Sequence, residues 1–212
     1  MIEAIIWDFG GVITSSPFEA FNRYEEAQGL PRDFIRSVNA ANPDDNAWAR
    51  FERSAIDAAQ FDTDFMAEAA ARGHEVRGSA VLELLAGALR PEMVAVLDGL
   101  KARNYRLGCI TNNVKSVAAM GNTRETPADI AAVWARFDVL IESSVVGIRK
   151  PDPAIYDMAC AELKVAPSKA VFLDDLGVNL KPARALGMQT IKVVSAEQAI
   201  AELAAILGHE LP

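Results

Sequence analysis

The sequence predicts an α/β fold: a parallel sheet with helices on both faces, and a block of helices inserted after the first strand. Three observations carry this reading. From about residue 91 onward, short apolar β-branched runs alternate with helical patterns, the arrangement that winds a parallel sheet. One further run of the same kind stands alone at residues 2–7. The long stretch between them, residues 15–90, holds helical pieces and no convincing strand.

The elements follow in order. Residues 2–7 are β-branched and aromatic, run into Asp8, and meet Gly10-Gly11, which reads as a fully buried strand. The inserted helices are expected over Phe18–Gln28, Asp33–Ala40, Asp44–Ala58, Thr63–Ala71 and Ala80–Leu89. Pro91 opens a helix at its first turn, with Met93, Val96, Leu97 and Leu100 on one face. Strands are expected at Tyr105–Ile110, Val139–Glu142, Ala170–Leu173 and Thr190–Val194. Pro153 opens a helix to about Leu163. Another runs from Val178 to Leu186 with Gly187 as its stop. The last carries Ile200, Leu203, Ile206 and Leu207 at helical spacing. The segment from Gly121 to Pro127 reads as an exposed loop. The domains expected are a core of residues 1–14 and 91–212, and a helical cap of residues 15–90.

With 212 residues, 51% of them hydrophobic, the chain can bury a sizeable core, as one medium domain with a large insertion or as two small domains. A net charge of -8 argues against nucleic acid as a partner, since that surface must be basic. A small anionic substrate needs only a locally positive site. Cys109 and Cys160 are far apart and form no CxxC pair. They read as buried small hydrophobes in a reducing compartment. The opening MIEAIIWDF has no secretory pattern, and no apolar run is long enough to span a bilayer. A cytoplasmic protein with no membrane partner is expected; the oligomeric state stays open.

Chemistry-bearing residues gather at strand ends, where open α/β sheets place their ligands. Asp8 follows the first strand. Thr111-Asn112-Asn113 follows Leu107–Ile110. Lys150 precedes Pro151 and the helix opened by Pro153. Asp174-Asp175 follows Val171–Leu173, with Asn179 a turn later. Each has a purely structural alternative: a strand-end acid, Thr or Asn caps a helix, and a lysine before a proline is often only solvated. The acid pair resists this reading, because adjacent carboxylates repel unless a cation or donor sits between them. Together the set makes one chemical kit. A carboxylate can take a phosphoryl group, and carboxylate oxygens hold a hard cation such as Mg2+. Backbone amides at the glycines and a Thr hydroxyl can hold phosphoryl oxygens, and an ammonium neutralises charge.

On these residues the chain resembles the haloacid dehalogenase-like (HAD) hydrolase superfamily along nearly its whole length. The four motifs appear in order: Asp8-Phe9-Gly10-Gly11-Val12, Ile110-Thr111-Asn112, Lys150-Pro151, and Phe172-Leu173-Asp174-Asp175 with Asn179. The stretch from Phe137 to Met188 is most similar to the N-terminal phosphatase domain of soluble epoxide hydrolase and its bacterial relatives. The resemblance implies a Rossmann-like core and Mg2+-dependent hydrolysis of a small phosphorylated metabolite through an aspartyl-phosphate. It implies Asp8 as nucleophile and metal ligand, Gly10 as a metal ligand through its carbonyl, and Asp174 and Asp175 as metal ligands or support. Thr111, Asn112, Lys150 and Gly11 would hold the phosphoryl group, and Asn179 the acidic loop. The helical insertion would be a cap that selects substrate, with Phe18, Trp48, Arg50, Phe51 and Arg53 as candidate contacts.

Gly10 departs from the family pattern, which usually has a second Asp there to protonate the leaving group. Such acid–base help is worth ~100- to 10,000-fold in rate. The departure implies a slow enzyme, or esters whose leaving groups need little protonation: acyl phosphates, aryl phosphates and sugar 1-phosphates. A water could substitute, or another acid such as Glu19, Glu25 or Glu52. Two other readings remain: a haloacid dehalogenase, in which the same Asp attacks carbon, and a non-catalytic metal- or ligand-binding module. The acid pair counts against the first, and Gly10 alone supports the second.

Overall fold

Ala4–Trp7 forms β1, buried along its whole length, at the centre of a five-stranded parallel sheet. The computed structural model describes residues 1–85, 87–113 and 127–212. The other strands are β2 (Arg106–Thr111), β3 (Val139–Glu142), β4 (Ala170–Asp174) and β5 (Gln189–Lys192), in the order β3-β2-β1-β4-β5. A strand buried on both faces must be apolar on both. Ile5 and Trp7 point to one face, with Leu107, Cys109, Val171 and Leu173. Ala4 and Ile6 point to the other, with Ile110, Ala170 and Phe172.

The helices outside the insertion cover both faces. The helix opened by Pro91, α6 (Pro91–Ala102), and the final helix, α11 (Ala196–Leu207), pack on the Trp7 side through Met93, Val96, Leu97, Leu100 and Leu203. Helices α9 (Pro153–Leu163) and α10 (Gly177–Ala185) pack on the Ile6 side through Ile155, Tyr156, Ala159 and Leu180. Two short helices lie outside the predicted elements, α7 (Pro127–Trp134) and α8 (Ser143–Val146). The predicted loop at 121–127 falls almost wholly outside the described residues. Among the described residues, no helix is long and apolar enough to cross a membrane.

Helices α1 (Pro17–Gln28), α2 (Phe34–Ala40), α3 (Ala47–Glu52), α4 (Ala58–Ala70) and α5 (Gly78–Glu83) lie between β1 and the rest of the sheet. They share a core of their own, built on Phe21, Ile35, Phe51, Phe61, Phe65 and Leu82. The sequence suggested one helix over Asp44–Ala58, and the structure breaks it. Asn46 caps α3 by accepting from Ala49 N at 2.7 Å, and Asp57 caps α4 by accepting from Gln60 N at 2.8 Å. Ser54 between them takes a left-handed φ of 56°. The helix expected to reach Leu89 stops at Glu83. Leu89 instead forms an antiparallel bridge with Thr14. Around that bridge Ser15 N donates to Ala88 O at 2.8 Å and Arg90 N to Ile13 O at 2.9 Å.

Candidate active site

Register brings the strand-end residues together. Trp7 pairs with Cys109 on one side and Leu173 on the other, so Asp8 emerges level with Ile110 and Asp174. The main chain holds it there: Asp8 N donates to Leu173 O at 2.8 Å, and Phe9 N donates to Asp8 Oδ1 at 2.7 Å. The turn that follows closes on Phe9 O, which accepts from Ile13 N at 2.9 Å.

Lys150 is 1% exposed and reaches the same point from the segment after α8. Its Nζ stands 2.8 Å from Asp8 Oδ1 and 2.8 Å from Asp174 Oδ2. Asp174 is fixed on other sides as well. Asn179 Nδ2 donates to its two oxygens at 3.1 and 3.0 Å, and Leu176 N donates to Oδ1 at 2.8 Å. Tyr156 holds Asn179 in turn, donating to its carbonyl at 2.7 Å. Asp175 lies on the other side of the pair, with Ser16 Oγ donating to its Oδ2 at 3.4 Å. Carboxylate oxygens of Asp8, Asp174 and Asp175 all lie within 4.8 Å of one another.

Gly11 makes this approach possible. Its φ is +77°, and a Cβ there would sit 2.3 Å from Asp175 Oδ2. Gly10 is exposed, and a Cβ added to it would meet nothing within 4 Å.

Three carboxylates face one ammonium, so the cluster carries two uncompensated negative charges when fully ionised. The protonation equilibria reflect this crowding. Burial first, then Asp174 and Asp175, raise the Asp8 carboxyl well above the usual carboxylate range, against the pull of Lys150. Asp175 is pushed up to about 6 by burial and by Asp174. Burial acts to lower the Lys150 ammonium, but Asp174 and Asp8 overrule it and hold the proton more tightly than on an ordinary lysine. Three oxygen donors with an excess of two negative charges fit a hard divalent cation.

Thr111 ends β2 and is buried. The Asn112 side chain clasps the Lys150 peptide: Oδ1 accepts from Lys150 N at 2.8 Å and Nδ2 donates to Lys150 O at 2.9 Å. Asn113 does similar work on the next segment, with its N donating to Ser143 Oγ at 3.1 Å and its Oδ1 accepting from Ser144 Oγ at 2.8 Å.

The candidate substrate contacts of the insertion are occupied otherwise. Trp48 and Phe51 pack on Phe61. Arg50 pairs with Asp64 at 3.1 Å and Glu68 at 3.7 Å. Arg53 donates to Asp44 O at 3.0 Å, and Phe18 lies under the Arg36 guanidinium. Of the three acids offered as substitutes, Glu25 accepts from Asp33 N and Ile35 N at 2.7 and 2.9 Å. Glu19 lies on the surface, 4.0 Å from Arg23. Glu52 alone approaches the strand ends, with Oε2 3.5 Å from Asn112 Nδ2. Sequence reasoning missed Ser16 and Arg149. Ser16 is legible only as a helix cap before Pro17, and Arg149 only as the neighbour of Lys150.

The chain matches known proteins over the same span. Acyl-CoA dehydrogenase family member 10 of Mus musculus is 34% identical over 98% of this chain and 19% of its own length. Bifunctional epoxide hydrolase 2 of Mus musculus is 32% identical over 97% of this chain and 39% of its own length. The chain thus spans only part of these two relatives. Phosphatase MT3486 of Mycobacterium tuberculosis is 28% identical over 91% of this chain and 87% of its own length. Among solved structures, the HAD family enzyme bt-2542 of Bacteroides thetaiotaomicron, in complex with magnesium and inorganic phosphate, superposes with a TM-score of 0.64. It covers 96% of this chain and 99% of that one at 18% identity, a likeness of fold. The family model for haloacid dehalogenase-like hydrolases matches residues 2–187. With that match laid over the strand-end cluster, the chain belongs to the haloacid dehalogenase-like hydrolase family.

Proposed function

We propose that the protein is a Mg2+-dependent phosphatase of small phosphorylated metabolites that forms an aspartyl-phosphate on Asp8. The observation that carries this reading is the buried ammonium of Lys150, 2.8 Å from both Asp8 and Asp174, inside a cluster that is short of two positive charges when fully ionised. A phosphate monoester would add to that deficit, so the site needs a cation before it can receive one.

Asp8, Asp175 and the backbone at Gly10 would hold Mg2+, with Asp174 beside them. The ion would neutralise phosphoryl oxygens and orient the ester. The rest belongs to the chain. Lys150 draws the phosphoryl group toward Asp8, and Thr111 with the backbone around it and at Gly11 supplies donors to the equatorial oxygens. Asp8 Oδ1 already accepts from Phe9 N and Lys150 Nζ, which leaves Oδ2 for attack on phosphorus. As the new O–P bond forms, the ester O–P bond breaks and the leaving oxygen takes a proton from solvent. Water then hydrolyses the acyl phosphate and regenerates Asp8. The insertion acts as the cap over this site. Gly10 supplies no acid, so esters with good leaving groups are the best substrates. Cys109 and Cys160, both free and buried, suit a reducing cytoplasm.

A panel of aryl, acyl and alkyl phosphates in Mg2+ tests the reading. Turnover of aryl or acyl esters is expected in the wild type, and none in Asp8→Asn. Equal turnover in the two proteins removes Asp8 from the chemistry. Metal-independent hydrolysis of 2-chloropropionate replaces the phosphatase with a dehalogenase. Mg2+ binding without turnover anywhere in the panel replaces it with a non-catalytic module.

A further inference from the structure

One buried ion pair has no task in this scheme. Glu52 is the last residue of α3. Its Oε2 accepts from Arg149 Nε at 2.6 Å, with the two side chains 7% and 19% exposed. Arg149 also donates from Nη1 to Pro43 O at 3.0 Å. Beside this pair, Ser143 Oγ donates to Glu52 O at 2.8 Å and Ser54 Oγ to Ser144 O at 2.9 Å. One stretch of the insertion, residues 43–54, is thereby fastened to one stretch beside the sheet, residues 143–149.

That second stretch ends at Lys150. Asn112 binds both the N–H and the C=O of Lys150, and its amide nitrogen also faces Glu52 Oε2 at 3.5 Å. Glu52 therefore meets the lysine segment twice, through Arg149 and through Asn112. A buried ion pair is an inefficient source of stability, because desolvation offsets its attraction. It does hold one geometry against others, and an ammonium shared by two carboxylates needs one geometry.

We infer that Glu52 and Arg149 are positioning residues, which lock the 143–150 segment against the insertion so that Lys150 Nζ stands between Asp8 and Asp174. Neither residue touches the reacting atoms. The kinetic consequence rests on the phosphatase reading, and the lock itself does not.

The test uses Glu52→Gln, Arg149→Met and the double variant in the full chain. The measurements are kcat and KM for p-nitrophenyl phosphate at saturating Mg2+, and amide hydrogen exchange. Each single variant is expected to lower kcat roughly 10- to 100-fold, the scale of a small misplacement near the chemistry, with a smaller change in KM. The double variant should lose no more than the worse single one, because the pair acts as a unit. Exchange should quicken at 43–54 and 143–150 and stay at wild-type rates in β1 and β4. Faster exchange with unchanged kcat reduces the pair to a fastening and overturns the positioning role, as do additive losses in the double variant. If a variant loses protection in the sheet as well, Arg149→Lys takes its place: it keeps the charge with a poorer fit and should fall between wild type and Arg149→Met in kcat. A wild type that turns over no phosphate ester sinks the phosphatase reading. Unchanged exchange at 143–150 in the variants sinks the lock, whatever the activity.

Discussion

Gly10 and Gly11 are neighbours under opposite constraints. Gly11 has a left-handed backbone, and its missing side chain is the space that Asp175 occupies. Gly11→Ala is therefore expected to lose about 1–2 kcal/mol to backbone strain and to push Asp175 away. If Asp175 ligates the metal, titration calorimetry should show Mg2+ affinity reduced at least about tenfold; unchanged affinity would remove Asp175 from the metal site. Nothing comparable restrains Gly10, which has open space where a side chain would go. Gly10→Asp should fold with stability within ~0.5 kcal/mol of wild type. If the absent acid limits the rate, it raises alkyl phosphate turnover ~100-fold or more and leaves aryl turnover nearly unchanged. A parallel rise for both ester classes would show that leaving-group protonation is not the limit. Packing thus holds the glycine at 11, and no steric constraint holds the one at 10.

At the level of elements, the readable parts were those whose own residues determine them. Strand β1 is apolar on both faces because it is buried on both, and prolines 91 and 153 mark the starts of α6 and α9. The strand-end positions of Asp8, Thr111 and Asp174 follow from the same runs. The insertion was harder to read. An aromatic residue facing a ligand and one facing a core look alike in sequence, and Trp48 and Phe51 face Phe61. The Glu52–Arg149 pair joins residues with no local signal linking them. Within the insertion, Asp62 of α4 accepts from Ser79 N at 2.8 Å and pairs with Arg77 at 2.5 Å, fixing the start of α5. The Ser79 amide, then the Ser79 hydroxyl and Arg77, lower its carboxyl below the ordinary 3.8. A depressed carboxylate contributes stability that is whole above 3.8 and fades as pH falls through its folded value. Asp62→Asn should therefore cost about 1 kcal/mol at pH 7, allowing for solvent screening. In urea titrations the gap from wild type should narrow below pH 4. A gap of constant size from pH 7 to pH 3 would mean that the charge is irrelevant.

For the whole molecule, the central sheet position of β1 concentrates like charge where water is scarce. Asp8, Asp174 and Asp175 gather round Lys150, and a cation bound there would relieve their repulsion. Binding to the folded chain alone stabilises it by about 2.7 kcal/mol at a hundredfold excess over Kd. For a chain of this size that is a rise in Tm of roughly 5–10 °C. Melting curves in Mg2+ and in EDTA should differ by that amount, and Asp175→Asn should erase most of the difference. Equal curves for the wild type would mean that no cation belongs there. The insertion has a consequence of another kind. It leaves the sheet beside Ser15 and returns beside Ala88, and the two linkers lie hydrogen-bonded side by side. All five strands fall outside it. It behaves as a cassette: its entry and exit coincide, so a longer, shorter or differently shaped block can be exchanged there without shifting Asp8 against Asp174. Apart from its contacts with residues 143–149, the insertion can therefore vary while the part that holds Asp8 stays in register.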